Sequence, residues 1–161
     1  MRALAALLIL ALAGCGFHLR GTAPGPFQTI YIPNAKSGIA LDLKRSLEAG
    51  TNAKVVDDAR GADAIFELSQ EAREKIILSL TGTGRVREFR LAYRVNFRVH
   101  DGKGGEYVPM SLVTLSRDVT YNDAEILAKE AEEQLLFRDM QSDMVQQVMR
   151  RLASAERPKP R

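Results

Sequence analysis

Three arginines in one strand-like segment are the clearest chemical feature of the sequence. Arg90, Arg94 and Arg98 recur every four residues, so in a strand they share one face at intervals of about 13 Å. Guanidinium groups stay charged and bind phosphate or carboxylate through two parallel hydrogen bonds. The row therefore fits an anionic lipid headgroup or an acidic protein wall. It equally fits a solvated sheet face on which Glu67 or Glu71 of a neighbouring strand neutralises the arginines.

Residues suited to catalysis or metal binding are scarce. The histidines are His18 and His100, the single cysteine is Cys15, and no group of Cys, His and carboxylate side chains has metal-site spacing. Ser111 and Ser116 lie in a strand-like segment with no histidine placed to activate them. We therefore expect no catalytic residue, metal or cofactor. A hydrolase stays an alternative only if His100 lies beside a serine or carboxylate in a pocket.

The segment Thr81-Gly82-Thr83-Gly84 has the glycine content of a phosphate-binding loop. Such a loop needs a strand before it and a helix after it, whereas strand-like residues lie on both sides of this one. The segment therefore predicts a plain hairpin turn. Arg85 and Arg87 follow immediately, so an anion site made by their side chains stays open.

The start of the chain predicts export and lipidation. Arg2 precedes an apolar run over residues 3–13 that is too short to span a membrane, which is typical of a signal peptide over residues 1–14. Leu12-Ala13-Gly14-Cys15 resembles the lipobox of bacterial lipoproteins, in which cleavage precedes a cysteine that carries the lipid. The alternative is a buried free cysteine. A single cysteine permits no internal disulfide, so lipidation of Cys15 is the favoured interpretation.

The residues around Cys15 also predict where the protein resides. Several acyl chains would hold the protein permanently in a membrane. Gly16 follows the cysteine, instead of the aspartate that retains lipoproteins at the inner membrane. We therefore expect a lipid-anchored protein on the periplasmic side of the cell outer membrane. Export and a net charge of only +3 argue against a nucleic acid partner.

Hydrophobic periodicity outlines the first part of the domain. Residues 15–26 are rich in glycine and proline and predict a tether. A short strand over residues 27–33 follows, and Lys54–Val56 is a further brief strand. Between them a helix ending at Gly50 is indicated by apolar residues at intervals of four, namely Ile39, Leu43 and Leu47.

Alternation of apolar and polar residues predicts three longer strands. They cover residues 64–80, with a bulge near Glu74, residues 89–99, and residues 107–121. A long helix follows from Asn122, which is placed to cap it, to about Leu152. Much of its apolar stripe comes from Leu127, Ala131, Leu135, Met144, Val148 and Leu152.

These elements predict an α+β fold. The expected architecture is a two-layer sandwich of a mainly antiparallel four-stranded sheet with two helices on one face. A single domain over residues 27–152 is followed by a disordered tail over residues 153–161. The second sheet face would be polar and available to a partner.

The segment Cys15-Gly16-Phe17-His18-Leu19-Arg20-Gly21 resembles the mature start of the LptE family of lipopolysaccharide-assembly lipoproteins. The strand over residues 88–99 and the helical segment over residues 127–140 appear in the family's order and spacing. The resemblance implies a non-enzymatic partner of the large outer-membrane β-barrel LptD. Such a protein plugs the barrel, helps it to assemble and binds lipopolysaccharide in transit to the cell surface.

The resemblance also implies contact residues. A lysine early in the second helix of the family corresponds to Lys129. The basic residue of the family's loop falls at or near Gly82, so its role is lost or shifts to Arg85 or Arg87. With Arg90 of the arginine row, these are the candidate lipopolysaccharide contacts. The alternative is a structural envelope-tethering lipoprotein without a lipid ligand, its arginines solvated or bound to peptidoglycan.

Overall fold

The computed structural model describes residues 25–122 and 125–158. The predicted signal peptide, Cys15 and the motif behind it lie outside the described residues. In chain order, the regular elements are β1 (Thr29–Tyr31), α1 (Gly38–Gly50), β2 (Lys54–Val56), a short 3-10 turn (Ala59–Gly61), β3 (Ala64–Leu80), β4 (Val86–His100), β5 (Glu106–Thr120) and α2 (Ile126–Ala153).

The sheet is five-stranded and mixed, in the order β2-β1-β3-β4-β5. β1 runs parallel to both β2 and β3, while β3, β4 and β5 pair antiparallel. The predicted α+β class with two helices is confirmed, whereas the predicted four-stranded sheet is wrong. The fifth strand of the observed sheet is β2, which coincides with the brief strand expected over Lys54–Val56 but not counted in the predicted sheet. The α1 crossover places it parallel to β1.

The core lies between one sheet face and both helices. Phe66 of β3 stacks on Phe97 of β4 with ring centroids 5.5 Å apart, and Tyr93 is fully buried beside them. Leu43 of α1 and Met144 of α2 belong to the same buried cluster. Burying side chains of this size supplies roughly 1.5–3 kcal/mol each, so this cluster fixes the position of both helices on the sheet.

Helix α2 begins later than predicted, and its fully buried residues lie in its second half. Glu125, not Asn122, occupies the N-cap position, because the Glu125 N–H bonds the Asn122 carbonyl in a turn before the helix. The predicted stripe residues Leu127 and Leu135 are 81% and 52% exposed. All buried residues of α2 lie at or beyond Met140, while the first half of the helix adds the partly buried Leu136 and Phe137 to the core.

The bulge in β3 lies elsewhere than predicted, and this changes the chemistry of the sheet. The pairing of β3 with β4 shifts at Ser69 and again between Ile77 and Leu80, but not at Glu74. An extra residue inverts the side-chain alternation beyond it. Alternation alone would bury the even-numbered side chains of β3, but beyond Ser69 those from Ala72 to Ile76 lie on the face away from the helices, and Ile76 is exposed.

The segment after α2, described as far as Pro158, returns to the start of the domain. Arg157 Nε donates to the Pro26 carbonyl over 3.3 Å, and Pro158 lies close to Gly105 in the β4–β5 turn. Among the described residues, no helix has the length and apolar character needed to cross a membrane.

Candidate functional site

The β3–β4 turn is a plain hairpin. The Thr81 N–H donates to the Arg85 carbonyl over 2.7 Å, and the Gly84 N–H donates to the Thr81 carbonyl over 2.9 Å. Gly84 has φ +81°, a conformation that glycine adopts without strain. The turn leads straight into β4 rather than into a helix, so it does not form a phosphate-binding loop. Arg85 lies within this turn.

Two of the predicted contact residues lie at the same end of the sheet. Lys129, in the first turn of α2, lines a small cleft with Phe89 and Tyr121. The Arg87 carbonyl accepts the Tyr121 N–H over 2.8 Å, so the Arg87 backbone lies beside this cleft. The structure thus brings Arg87 and Lys129 to the end of the sheet that carries the β3–β4 hairpin.

Lys75 is a basic residue of this cleft that the sequence pattern misplaced. Its Nζ lies 2.5 Å from Glu133 of α2 and 4.4 Å from the centroid of the Phe89 ring. Alternation alone would place Lys75 on the solvent face, but the bulge at Ser69 turns it towards α2. The run Ser69-Gln70-Glu71, three polar residues in a row, is a sequence signal of that inversion.

A polar and aromatic layer continues beneath the first half of α2. Arg73 lies over the Tyr93 ring, with its guanidinium carbon 5.2 Å from the ring centroid, and it donates to Gln141. The Tyr93 hydroxyl donates to Glu71 over 2.6 Å. Burial, and then this bond to a carboxylate, raise the pKa of Tyr93 above its usual range. Ion pairs and cation–π contacts, together with the partly buried Leu136 and Phe137, hold this half of the helix on the sheet.

The arginine row of β4 lies on the opposite, open face and is neutralised there. Each guanidinium is within 2.8 Å of a carboxylate oxygen of a neighbouring strand: Arg90 with Asp118, Arg94 with Glu74, and Arg98 with Glu67. Glu71, the other carboxylate expected to reach the row, lies on the helix face because of the bulge. The candidate contact Arg90 therefore lies away from Lys129 and makes a bidentate bond to Asp118.

The carboxyl pKa values reflect this pairing. The hydrogen bond from Arg90 lowers the pKa of Asp118, and the hydrogen bond from Arg98 lowers that of Glu67. A depressed carboxyl pKa gives stabilisation that is present above the usual pKa and is lost as the pH falls through the lowered one. The Arg90–Asp118 and Arg98–Glu67 ion pairs consequently persist into acidic conditions.

His100 does not form a hydrolytic site with a serine. Its Nδ1 accepts the Gly102 N–H over 3.1 Å, and its Nε2 lies 3.3 Å from Glu67, a carboxylate already bonded to Arg98. A cavity of about 520 Å³ lies elsewhere, between the ends of α1 and α2, and does not include His100. Within residues 25–122 and 125–158, no three His, Cys, Asp or Glu side chains could hold a metal ion.

Exposed apolar side chains lie at the same end of the domain as the basic cleft. Ile77, Leu78 and Leu80 of β3 are exposed, as is Leu127 beside Lys129. Exposed aliphatic side chains next to basic ones match the two parts of an anionic lipid, its acyl chains and its charged headgroup.

A known protein family matches most of this chain. The sequence model of the LptE family, described as lipopolysaccharide assembly, matches residues 27–152. The chain belongs to the LptE family. The LptE family is non-enzymatic, in agreement with the expectation drawn from the few catalytic residue types.

Two curated LptE relatives extend over nearly the whole chain. The LPS-assembly lipoprotein LptE of Photorhabdus laumondii is 29% identical over 161 residues, covering 96% of this chain and 87% of the relative. That of Pectobacterium atrosepticum is 29% identical over 150 residues, covering 91% and 80%.

Solved structures support the LptE fold. An uncharacterized lipoprotein B from Nitrosomonas europaea is 44% identical, with a TM-score of 0.71 over 84% of this chain and 88% of that one. The rare lipoprotein B from Shewanella oneidensis is 26% identical, with a TM-score of 0.66 over 78% and 92%.

Proposed function

We propose that this chain is an outer-membrane lipoprotein that plugs an LptD-type β-barrel, helps the barrel to assemble and binds lipopolysaccharide on its way to the cell surface. Membership of the LptE family over residues 27–152 is the observation that carries the proposal. The lipid on Cys15 would anchor the protein at the periplasmic side of the outer membrane.

The hairpin end of the sheet is the part suited to lipopolysaccharide. Lys129 and Arg87 would meet phosphate groups, with Arg85 in the adjoining turn, while the exposed leucines would meet acyl chains. Lys129 is paired with Glu132 over 2.8 Å, and this exposed carboxylate can be exchanged for a phosphate of higher charge. Arg90 lies on the other face of the sheet, so it can contact lipopolysaccharide only after its ion pair with Asp118 is broken.

The shape and surface of the domain suit a barrel lumen. At about 3.3 Å per residue the 17 residues of β3 extend roughly 55 Å, which gives an elongated body. Its open face carries ion pairs rather than a large apolar patch, as a wet lumen requires. A plug of this kind meets water and polar side chains on several sides.

Copurification tests the barrel partnership. Affinity-tagged full-length chain, extracted gently from outer membranes, is expected to bring down one large β-barrel protein in near-equal amount. A tagged lipoprotein of unrelated family, extracted in parallel, should not. Recovery of this chain alone as a monomer would contradict the proposal.

Charge reversal tests the lipopolysaccharide site. Lys129→Glu combined with Arg87→Glu is expected to weaken binding of purified lipopolysaccharide by at least about tenfold, since a hydrogen bond to a charged group contributes roughly 1.5–3 kcal/mol. The affinity can be measured by titration, with circular dichroism to confirm the fold.

The matched control reverses two arginines at the other end of the domain. Arg45 and Arg60 are highly exposed in α1 and the 3-10 turn, so Arg45→Glu with Arg60→Glu changes the net charge equally. This control should bind lipopolysaccharide as the wild type does. Equal weakening in both double variants would show that net charge, not this site, governs binding.

The neutralised arginine row favours a second candidate. With Arg90, Arg94 and Arg98 each bonded to a carboxylate, the open face has little net charge to offer a lipid. A structural lipoprotein that tethers the envelope would fit this observation. It predicts neither a barrel partner nor affinity for lipopolysaccharide, so the same two experiments distinguish it.

A further inference from the structure

The sheet has two long edges that no described strand covers. β1 pairs with β3 only at Ala64 and Ile65, so most of β3 has a bare outer edge. β5 is the last strand on the other side, and nothing within residues 25–122 and 125–158 pairs with its outer edge. Bare edges expose backbone N–H and C=O groups that can add a further strand.

The β3 edge carries the features that normally prevent such pairing. Its pairing with β4 shifts at Ser69 and again between Ile77 and Leu80, and bulges twist an edge away from a flat strand. Its sequence is also charged over much of its length, at Glu67, Glu71, Arg73, Glu74 and Lys75. Charges and bulges together make an edge a poor template.

The β5 edge lacks these features over its central part. Residues 110–116 contain no charged side chain, and the register with β4 is unbroken from Ser111 to Thr120. Met110 and Leu112 are 49% and 59% exposed. The first charges beyond this window are Arg117 and Asp118, and both are already paired with carboxylate or guanidinium partners.

The hydrogen-bonding direction of each β5 residue follows from one bond. The Tyr121 N–H donates to the Arg87 carbonyl of β4, so alternation directs the backbone groups of Val113 and Leu115 towards β4 and those of Leu112 and Thr114 outwards. The Ser116 carbonyl accepts from the Arg117 side chain over 3.0 Å, which agrees with an outward carbonyl there. The backbone N–H and C=O groups that point outwards from β5 thus belong to residues whose side chains lie on the open face of the sheet.

We propose that the outer edge of β5, centred on Leu112 and Thr114, binds an extended segment of the barrel partner as a sixth strand. The inference rests on the proposed function. The window is uncharged, so the added segment must be uncharged as well, because a charge placed opposite would lose water without gaining a partner. Apolar side chains at alternate positions of that segment would cover Met110 and Leu112.

A matched pair of lysine substitutions tests the edge. Thr114→Lys places a charge on the β5 edge, while Ala72→Lys places one on the β3 edge of the same face. Both positions lie directly beside Arg94 in the register, on opposite sides of it, so both lysines lie next to the same arginine. In copurification with full-length chains, Thr114→Lys is expected to recover at least about tenfold less barrel protein, and Ala72→Lys the wild-type amount.

A photo-crosslinking residue at position 112 identifies the occupant. We expect a crosslink to an uncharged, extended segment of the barrel protein. Three results would each overturn the edge proposal while the barrel partnership stands. They are a crosslink to another copy of this chain, recovery of the wild-type amount of barrel protein by Thr114→Lys, and an equal loss of barrel protein in both lysine variants. If the unmodified chain recovers no barrel protein, the proposed function itself fails and the edge proposal fails with it.

Discussion

Replacing Phe97 by alanine is expected to lower the free energy of unfolding by about 3–5 kcal/mol. Phe97 is fully buried in the middle of β4 and stacks on Phe66, so truncation removes apolar contacts and leaves a cavity between sheet and helices. Domains of this kind have only about 5–15 kcal/mol of stability, so the variant should unfold at markedly lower denaturant. Chemical denaturation followed by circular dichroism measures the change.

The control for Phe97→Ala lies on the neighbouring strand. Leu112 is mostly exposed, so Leu112→Ala should change the free energy of unfolding by no more than about 0.5 kcal/mol in the isolated protein. A loss below about 1 kcal/mol for Phe97→Ala would mean that the cluster around Phe66 does not dominate the core.

Substitution of Cys15 by serine is expected to abolish lipidation altogether. Serine has no thiol to carry the diacylglycerol, so labelling with palmitate should disappear and the chain should leave the detergent-rich phase on partitioning. Gly14→Ala keeps a small residue before the cysteine and should be processed normally. Palmitate labelling that survives in Cys15→Ser would exclude this cysteine as the anchor.

Much of the architecture followed from periodicity. β4 alternates so regularly that its buried face, from Leu91 to Val99, agrees with the structure residue by residue. Helix α1 likewise buries Ile39, Leu43 and Leu47. Apolar residues at a fixed period identify an element because one face must leave water. β2, with three residues, is too short to show a period.

The candidate site was less accessible to sequence reasoning. The resemblance to the LptE family singled out Lys129, and the two arginines behind the hairpin were visible as neighbours in sequence. Lys75 was missed, because one inserted residue at Ser69 reverses which side chains face α2. The pattern of β3 fitted two registers, and only its pairing with β4 selects one of them.

The sequence by itself determined the predicted lipid attachment at Cys15, the α+β class, and a positively charged row on one face of β4. These features depend on residue type and on the periodicity within one segment, so they follow from that segment without knowledge of the element that packs against it. The tertiary structure decided that the row is neutralised, that Arg87, Lys75 and Lys129 gather at the hairpin end, and that β5 has an uncharged outer edge. The physical reason is that strand register and cross-strand distance arise between segments far apart in the chain, so no local pattern contains them.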